Sequence, residues 1–223
     1  MTADFLAALR QFLTDPRLWK TVTVCFLLSC IAFAGLWAGL GYTLMWAAEH
    51  AGWLQSALTW GGWIGGFIIA LLLFPSLFGF IGGFFYETVA DAVDAAAFPH
   101  LPPANGAPLL ASVISGIKYF ILVLLLNALA LPVYLTLLWV LGAGAGLYIV
   151  VNGILIGREQ FEAVALRRLP PAQAKAWRRR HRFRIFTYGA AAAALGLIPF
   201  LNFVTPLIGV AAMTRLVNRA VAE

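Results

Sequence analysis

Charge is what this sequence has least of. Only 11% of its 223 residues are Asp, Glu, Lys or Arg, while 62% are hydrophobic and the mean hydropathy is +0.90. Soluble domains are about a quarter charged. The shortage excludes a disordered chain. It also excludes an ordinary soluble domain, because one core of this length could not bury so much apolar surface and keep a wettable exterior. Cysteine is scarce too, with only Cys25 and Cys30. Five apart on one helix, they would lie roughly 8 Å apart at Cα, beyond bridging distance. A disulfide scaffold is therefore excluded, and the pair reads as small packing residues.

Histidine is equally sparse. His50, His100 and His181 have no metal-ligand spacing. There is no Gly-x-Ser-x-Gly, no phosphate-binding Gly-Lys-Ser/Thr loop and no paired-Cys motif. No catalytic constellation emerges, so the chain reads as a non-enzyme without cofactor or metal. Any transport would be passive or ion-coupled. No signal peptide is visible, since the first apolar run is far longer than a signal h-region.

What the chain has instead is long charge-free runs. Residues 21–48 carry no charge over 28 positions, enough to cross a bilayer. With Thr14-Asp15-Pro16 as cap and first turn, the pattern predicts a first spanning helix over 16–48. Gly35 and Gly39 form a small-xxx-small step suited to close helix packing. A second run, 51–86, predicts a span at about 60–83. It continues as an amphipathic stretch to 97, where Glu87, Asp91 and Asp94 share one face. Trp46, Trp53, Trp60 and Trp63 flank the polar connection at Glu49, His50 and Gly52 as an aromatic belt would. Before all of this, Phe5, Leu6, Leu9, Phe12 and Leu13 recur at helical spacing. They predict an interfacial helix over 1–14 with Asp4, Arg10 and Gln11 off the apolar stripe.

Two further apolar units follow a proline-rich loop at 98–108. Residues 119–157 are charge-free but broken by Pro132, with Gly142, Gly144 and Gly146 loosening the second arm. Two full spans need about 40 residues plus a turn, so two shorter helices meeting inside the membrane fit as well. Residues 185–214 are interrupted by Ile198-Pro199-Phe200-Leu201-Asn202-Phe203-Val204-Thr205-Pro206. Each flank is only about 14–20 Å as helix, so either one kinked helix crosses or a hairpin enters and returns. Cations decide between these. Of fifteen Lys and Arg, nine lie between Arg158 and Arg184. Arg10, Arg17 and Lys20 precede the first span, Lys118 follows the second, and Arg215 and Arg219 follow the last unit. Cations collect on the cytoplasmic side. One scheme fits every cation: two spanning helices, then two hairpins anchored in the cytoplasm, with 158–184 as a basic cytoplasmic linker. The basic stretch needs no nucleic acid to explain it.

Several of these segments resemble a known family. Gly157-Arg158-Glu159-Gln160-Phe161-Glu162, the basic linker, Tyr188-Gly189, and Ile198-Pro199…Asn202…Thr205-Pro206 are similar to the CysZ-type sulfate transporter family, or etoposide-induced-protein domain family. So are Phe74-Pro75 followed by Glu87 and Val93, and Leu9 and Phe12 followed by Pro16-Arg17-Leu18-Trp19-Lys20. The resemblance covers almost the whole chain. It implies an all-α integral membrane protein in a single domain over 1–223. Two long transmembrane helices (16–48 and 60–97) would accompany two re-entrant, hemi-penetrating helical hairpins (119–157 and 185–214), with amphipathic interfacial helices. It implies a homo-oligomer in the cell inner (plasma) membrane, with both termini cytoplasmic, importing sulfate or a related oxyanion for cysteine biosynthesis. Its entry turn, small-Leu-Arg-Arg, is linked to sulfate binding. Here Leu18 matches, Lys20 keeps a cation, and Trp19 and Arg17 depart.

The candidate substrate-binding residues are Arg17, Leu18, Lys20, Asn202 and Thr205. Arg17 and Lys20 in the first turn of a helix would form an anion site with its free amides. They equally suit cations that snorkel at a membrane boundary, and Asp15 could occupy the same amides as a cap. Thr205-Pro206 would cap a final half-helix and free the amides of Leu207 and Ile208, with Asn202 as a neutral donor. The same residues would also make a plain tight turn. Glu87, Asp91 and Asp94 read as a solvated face or one docked on the basic linker. Lys175, Arg178, Arg179 and Arg182 suit topology control, anions or the head groups of membrane lipids.

Overall fold

A computed structural model describes residues 2–49, 55–106, 143–198 and 201–222. Between these it also describes 110, 114, 118, 121–122, 125–126, 129–130 and 132–133. The described residues are mainly helical, with no strand among them. The elements are α1 (Thr2–Thr14), α2 (Pro16–Glu49), α3 (Gln55–Gly83), α4 (Tyr86–Ala97), α5 (Ala143–Ala165), α6 (Pro171–Arg180), α7 (Arg182–Gly196) and α8 (Leu201–Ala222). The described residues from 110 to 133 are helical as well. His50, Gly52, Trp53, the loop end at 107–109, Gly142 and Pro199-Phe200 lie outside the described residues, as does the Trp60 side chain. Among the described residues, two helices pass by overall length and composition as able to cross a bilayer: Pro16–Trp46 within α2, and α8. In α3 the described apolar stretch is shorter, Gly61–Leu71.

The chain forms two compact units, residues 20–85 and residues 1–19 with 86–223. The first is a pair of antiparallel helices joined by an aromatic ladder. Phe33 stacks edge-on against Phe74 and Phe67, at 5.6 and 5.8 Å. Trp37 meets Phe67 at 5.4 Å and Trp63 at 5.9 Å, and Tyr42 meets Trp63 at 5.7 Å. T-shaped pairs set the positive edge of one ring on the negative face of the next. The indole of Trp37 also donates to the Trp63 carbonyl at 3.2 Å. The close approach falls at Gly41, where a Cβ would stand 2.6 Å from the Trp63 ring, and at Gly62 beneath Leu44. Gly35 and Gly39, the expected packing step, face open space. Spacing alone names a pair of small residues but cannot say which side of the helix meets a partner.

The other unit is built around α8, whose residues Leu207 to Thr214 are all buried. Helices α1, α4, α5 and α7 pack on it. The tightest crossing is α5 on α7. A Cβ at Gly189 would meet the Gly153 carbonyl oxygen and the Gly157 backbone, and one at Gly157 would lie 2.6 Å from the Ile185 carbonyl oxygen. Three glycines at one crossing let the two backbones touch. Leu122, Leu126 and Ala130 pack with Leu147, Val151 and Leu155 in one apolar cluster.

Three expectations are corrected, at 60–97, at Arg158 and at Thr205-Pro206, and α1 proves to have a polar inner face. The stretch 60–97 is two helices, α3 and α4, separated by a turn at Phe84-Phe85 after Gly82-Gly83. The face of α1 turned into the protein carries Asp4, Ala8, Gln11 and Phe12, while Leu6 and Leu13 are each 65% exposed. Its polar residues are inside because α8 supplies their partners. Arg158 does not begin a separate linker helix, since α5 runs without interruption to Ala165. Finally, α8 starts at Leu201 and encloses Pro206. Thr205 is not a cap, for its hydroxyl donates to the Leu201 carbonyl one turn back at 2.7 Å. The amides of Leu207 and Ile208 are thus interior helix amides rather than a free N-terminus.

Candidate functional site

The corner between α1 and α2 follows from local chemistry. Proline suits the first helical position, and the Asp15 carboxylate accepts from the Arg17 amide at 2.9 Å. Asp15 therefore occupies the helix end that an anion would use. Arg17 and Lys20 are exposed, Leu18 is buried and Trp19 is exposed. Asn202 and Thr205 lie near the start of α8. The α1–α2 corner is tied to α8 much further along, where the Arg215 guanidinium donates to the Gln11 side chain at 2.7 Å. Thirteen residues separate Asn202 from Arg215, about 20 Å of helix. The structure ties α1 at Gln11 to Arg215 of α8, whereas Asn202 and Thr205 lie near the start of that helix.

Near Asn202 the packing is polar. Its side-chain oxygen lies close to Gly196, and the Tyr148 hydroxyl borders the same glycine. Gln160 is fully buried and donates to the Pro206 carbonyl at 3.3 Å. Gly209 leaves the room for it, since a Cβ there would strike the Gln160 amide. Gln160 was legible as a polar residue in the Gly157–Glu162 motif, but its partner was not.

The acidic stripe on α4 docks on the end of α5. Arg167 is 4% exposed and bonds Asp91. It also lies 3.5 Å from Asp94 and 4.0 Å from Glu87. Arg168 reaches Asp94 at 2.6 Å and the Pro102 carbonyl at 2.8 Å. Asn218 of α8 donates to the other Asp94 oxygen at 2.6 Å. A second polar knot joins α1, α7 and α8. The Tyr188 hydroxyl donates to Asp4 at 2.6 Å, and Arg219 pairs with the same carboxylate at 2.6 Å. Buried charges persist only when paired in this way. These knots are structural ties, with acid and base nearly matched.

A third cluster is not balanced. Lys118, Arg158, Lys175 and Arg178 line a cleft of about 690 Å³ together with one carboxylate, Glu162. Glu162 is shared, lying 3.0 Å from Arg158 and 3.5 Å from Arg178. Four cations against one anion leave an excess of three positive charges. Burial pushes the Arg178 guanidinium below its ordinary range, Glu162 opposes that, and the neighbouring Arg158 and Arg179 add to it. Phe161 also lines it, and its ring stacks on Trp177 at 5.2 Å and 10°. Lys118 is distant in sequence from the basic stretch that holds Arg158, Lys175 and Arg178, so no single local motif contains the cleft. Among the described residues, no three His, Cys, Asp or Glu side chains gather where they could hold a metal.

These features define the class: an all-helical membrane protein with an unbalanced basic cleft. Residues 4–206 match the family model described as Sulfate transporter CysZ/Etoposide-induced protein 2.4. The chain belongs to that family. No curated protein and no solved structure matches it.

Proposed function

We propose that this protein is a membrane channel or permease for a small oxyanion, most simply sulfate taken up for cysteine biosynthesis. The observation that carries the reading is the family match across residues 4–206. Physical chemistry supports it. A dianion in hydrocarbon is prohibitively costly unless fixed donors replace its water. The cleft at Lys118, Arg158, Lys175 and Arg178 raises the local concentration of anions by its net charge. Arg17, Leu18, Lys20, Asn202 and Thr205 are the proposed contact residues along the path.

In this proposal the chain is a homo-oligomer, a dimer or larger, of the cell inner membrane with both termini cytoplasmic. Helices α2 and α3 span, while 119–157 and 185–214 enter and return as hairpins. The apolar part of α8, residues 201–214, is about 21 Å long as helix, short of the ~30 Å hydrocarbon core. Its remaining residues carry Arg215, Asn218 and Arg219, which bond Gln11, Asp94 and Asp4.

The test is radiolabelled sulfate uptake into liposomes holding the purified protein. Uptake above empty liposomes, competed by selenate, is expected. Arg17→Gln, Lys20→Gln and Asn202→Ala should each reduce it. No uptake from folded protein would overturn the reading and favour a non-transporting scaffold. Unchanged uptake in all three variants would overturn the residue assignments alone.

A further inference from the structure

Arg158 and Arg178 also border a second cavity, a groove of about 510 Å³. Its walls are apolar, formed by Val150, Ile154, Ile185 and Phe186, and Arg182 and Phe183 stand at its edge. The volume is in the range of small-ligand pockets, ~300–1,000 Å³. Val150, Ile154 and Phe183 are exposed. No carboxylate lines the groove. Among the described residues, Glu162 is the carboxylate that pairs with its arginines, with Arg158 and Arg178, and it lines the basic cleft. Two positive charges remain over an apolar slot.

That combination selects its occupant. A free oxyanion would meet the arginines but would also have to shed water against apolar walls, which cannot replace it. A purely apolar tail would fill the slot but leave the guanidiniums unanswered. Guanidinium is suited to a phosphate diester, which it binds through paired N–H donors. Basic pockets between membrane helices on the cytoplasmic side hold anionic head groups on the same principle.

We propose that this groove binds one anionic phospholipid, its phosphate on Arg158, Arg178 and Arg182 and one acyl chain along Val150, Ile154 and Phe186. The groove shares Arg158 and Arg178 with the basic cleft, but the lipid proposal does not depend on the transport reading. The bound lipid ties α5 to α7 next to their glycine crossing, and its phosphate offsets one of the two positive charges that Glu162 leaves.

The test mixes the purified full-length protein in mild detergent with equal phosphatidylglycerol and phosphatidylcholine. Lipid retained per protomer is counted by native mass spectrometry, and folding of each variant is checked by circular dichroism. Phosphatidylglycerol should be retained in preference. Each cation removed should weaken retention about fivefold, so Arg178→Gln and the exposed Arg182→Gln both lower it. Ile154→Trp fills the slot without changing charge and should also lower it. Arg180→Gln removes a cation of α6 that does not line the groove and should retain lipid like the wild type. Equal loss in Arg180→Gln would show diffuse surface attraction and overturn the site. So would equal retention of both lipids. Retention that ignores Ile154→Trp but is displaced by free sulfate would assign the arginines to a soluble oxyanion instead.

Discussion

Replacing Gly189 by alanine probes the tightest contact in the protein. The new Cβ would meet the Gly153 carbonyl oxygen, the Gly157 amide nitrogen and, at 2.6 Å, the Gly157 Cα. All are main-chain atoms, so no side chain can rotate out of the way. Ordinary contact begins at 3.4 Å, so the Gly157 Cα alone requires α5 and α7 to part by about 0.8 Å, and the two closer main-chain atoms require more. A gap of roughly 0.5–1 Å forfeits a quarter to a half of each dispersion contact. Overpacking costs about 1–3 kcal/mol, and a backbone obstacle puts this site near the upper end. At roughly 2–4 °C per kcal/mol for a chain of this size, Gly189→Ala should lower the melting temperature by about 6–12 °C. Gly146 is the internal control. It lies on α5 with nothing within 4 Å of an added Cβ. There alanine gains helix propensity, about 0.8–1 kcal/mol, and should raise the melting temperature by a few degrees. Thermal melts followed by circular dichroism in one detergent give both values. If Gly189→Ala melts within ~2 °C of wild type, or shifts in the same direction as Gly146→Ala, the crossing is not as described.

Other consequences follow from the polar knots and from the topology. Asp94→Ala removes the partner of Arg168 and Asn218, and its side chain is only 14% exposed. It should cost about 2–3 kcal/mol, whereas Asp91→Ala, at a carboxylate 67% exposed, should cost under ~1 kcal/mol. Denaturant titration compares the two. Tyr188→Phe leaves the buried Asp4 carboxylate one donor short and should cost about 1–2 kcal/mol, read out as faster proteolysis at α1. Pro132→Cys and Phe203→Cys place thiols in the two proposed hairpins. Neither should be labelled by an impermeant maleimide from the non-cytoplasmic side, and labelling from that side would replace the hairpins with full crossings.

Local signals were legible where the chemistry is local. The limits of α2, expected at 16–48 and found at Pro16–Glu49, follow from Asp15, Pro16 and an uninterrupted charge-free run. The docking of Glu87, Asp91 and Asp94 on basic residues could be anticipated from their shared face, although the partners Arg167 and Arg168 could not be singled out. Residues with two meanings were misjudged. Thr205-Pro206 reads as cap and first turn, yet the helix had already started at Leu201 and absorbed both. Gly35 and Gly39 read as a packing step, yet Gly41 and Gly62 make the approach. On α1, Asp4 and Gln11 were expected off the apolar stripe, with no partner named. Here Asp4 and Gln11 turn inward because Tyr188, Arg215 and Arg219 are there to bond them.

By itself the sequence determined the class of protein, the helical content and the first membrane helix, because bilayer thickness and the cost of charge in hydrocarbon act on each segment separately. The family was legible for a related reason, since its motifs survive as short strings. Only the tertiary structure decided which glycines touch, which polar residues are buried, and that Lys118, Arg158, Lys175 and Arg178 surround one carboxylate. Those outcomes depend on which helix faces meet. Facing is set by packing between segments distant in the chain, and no single segment's composition encodes it.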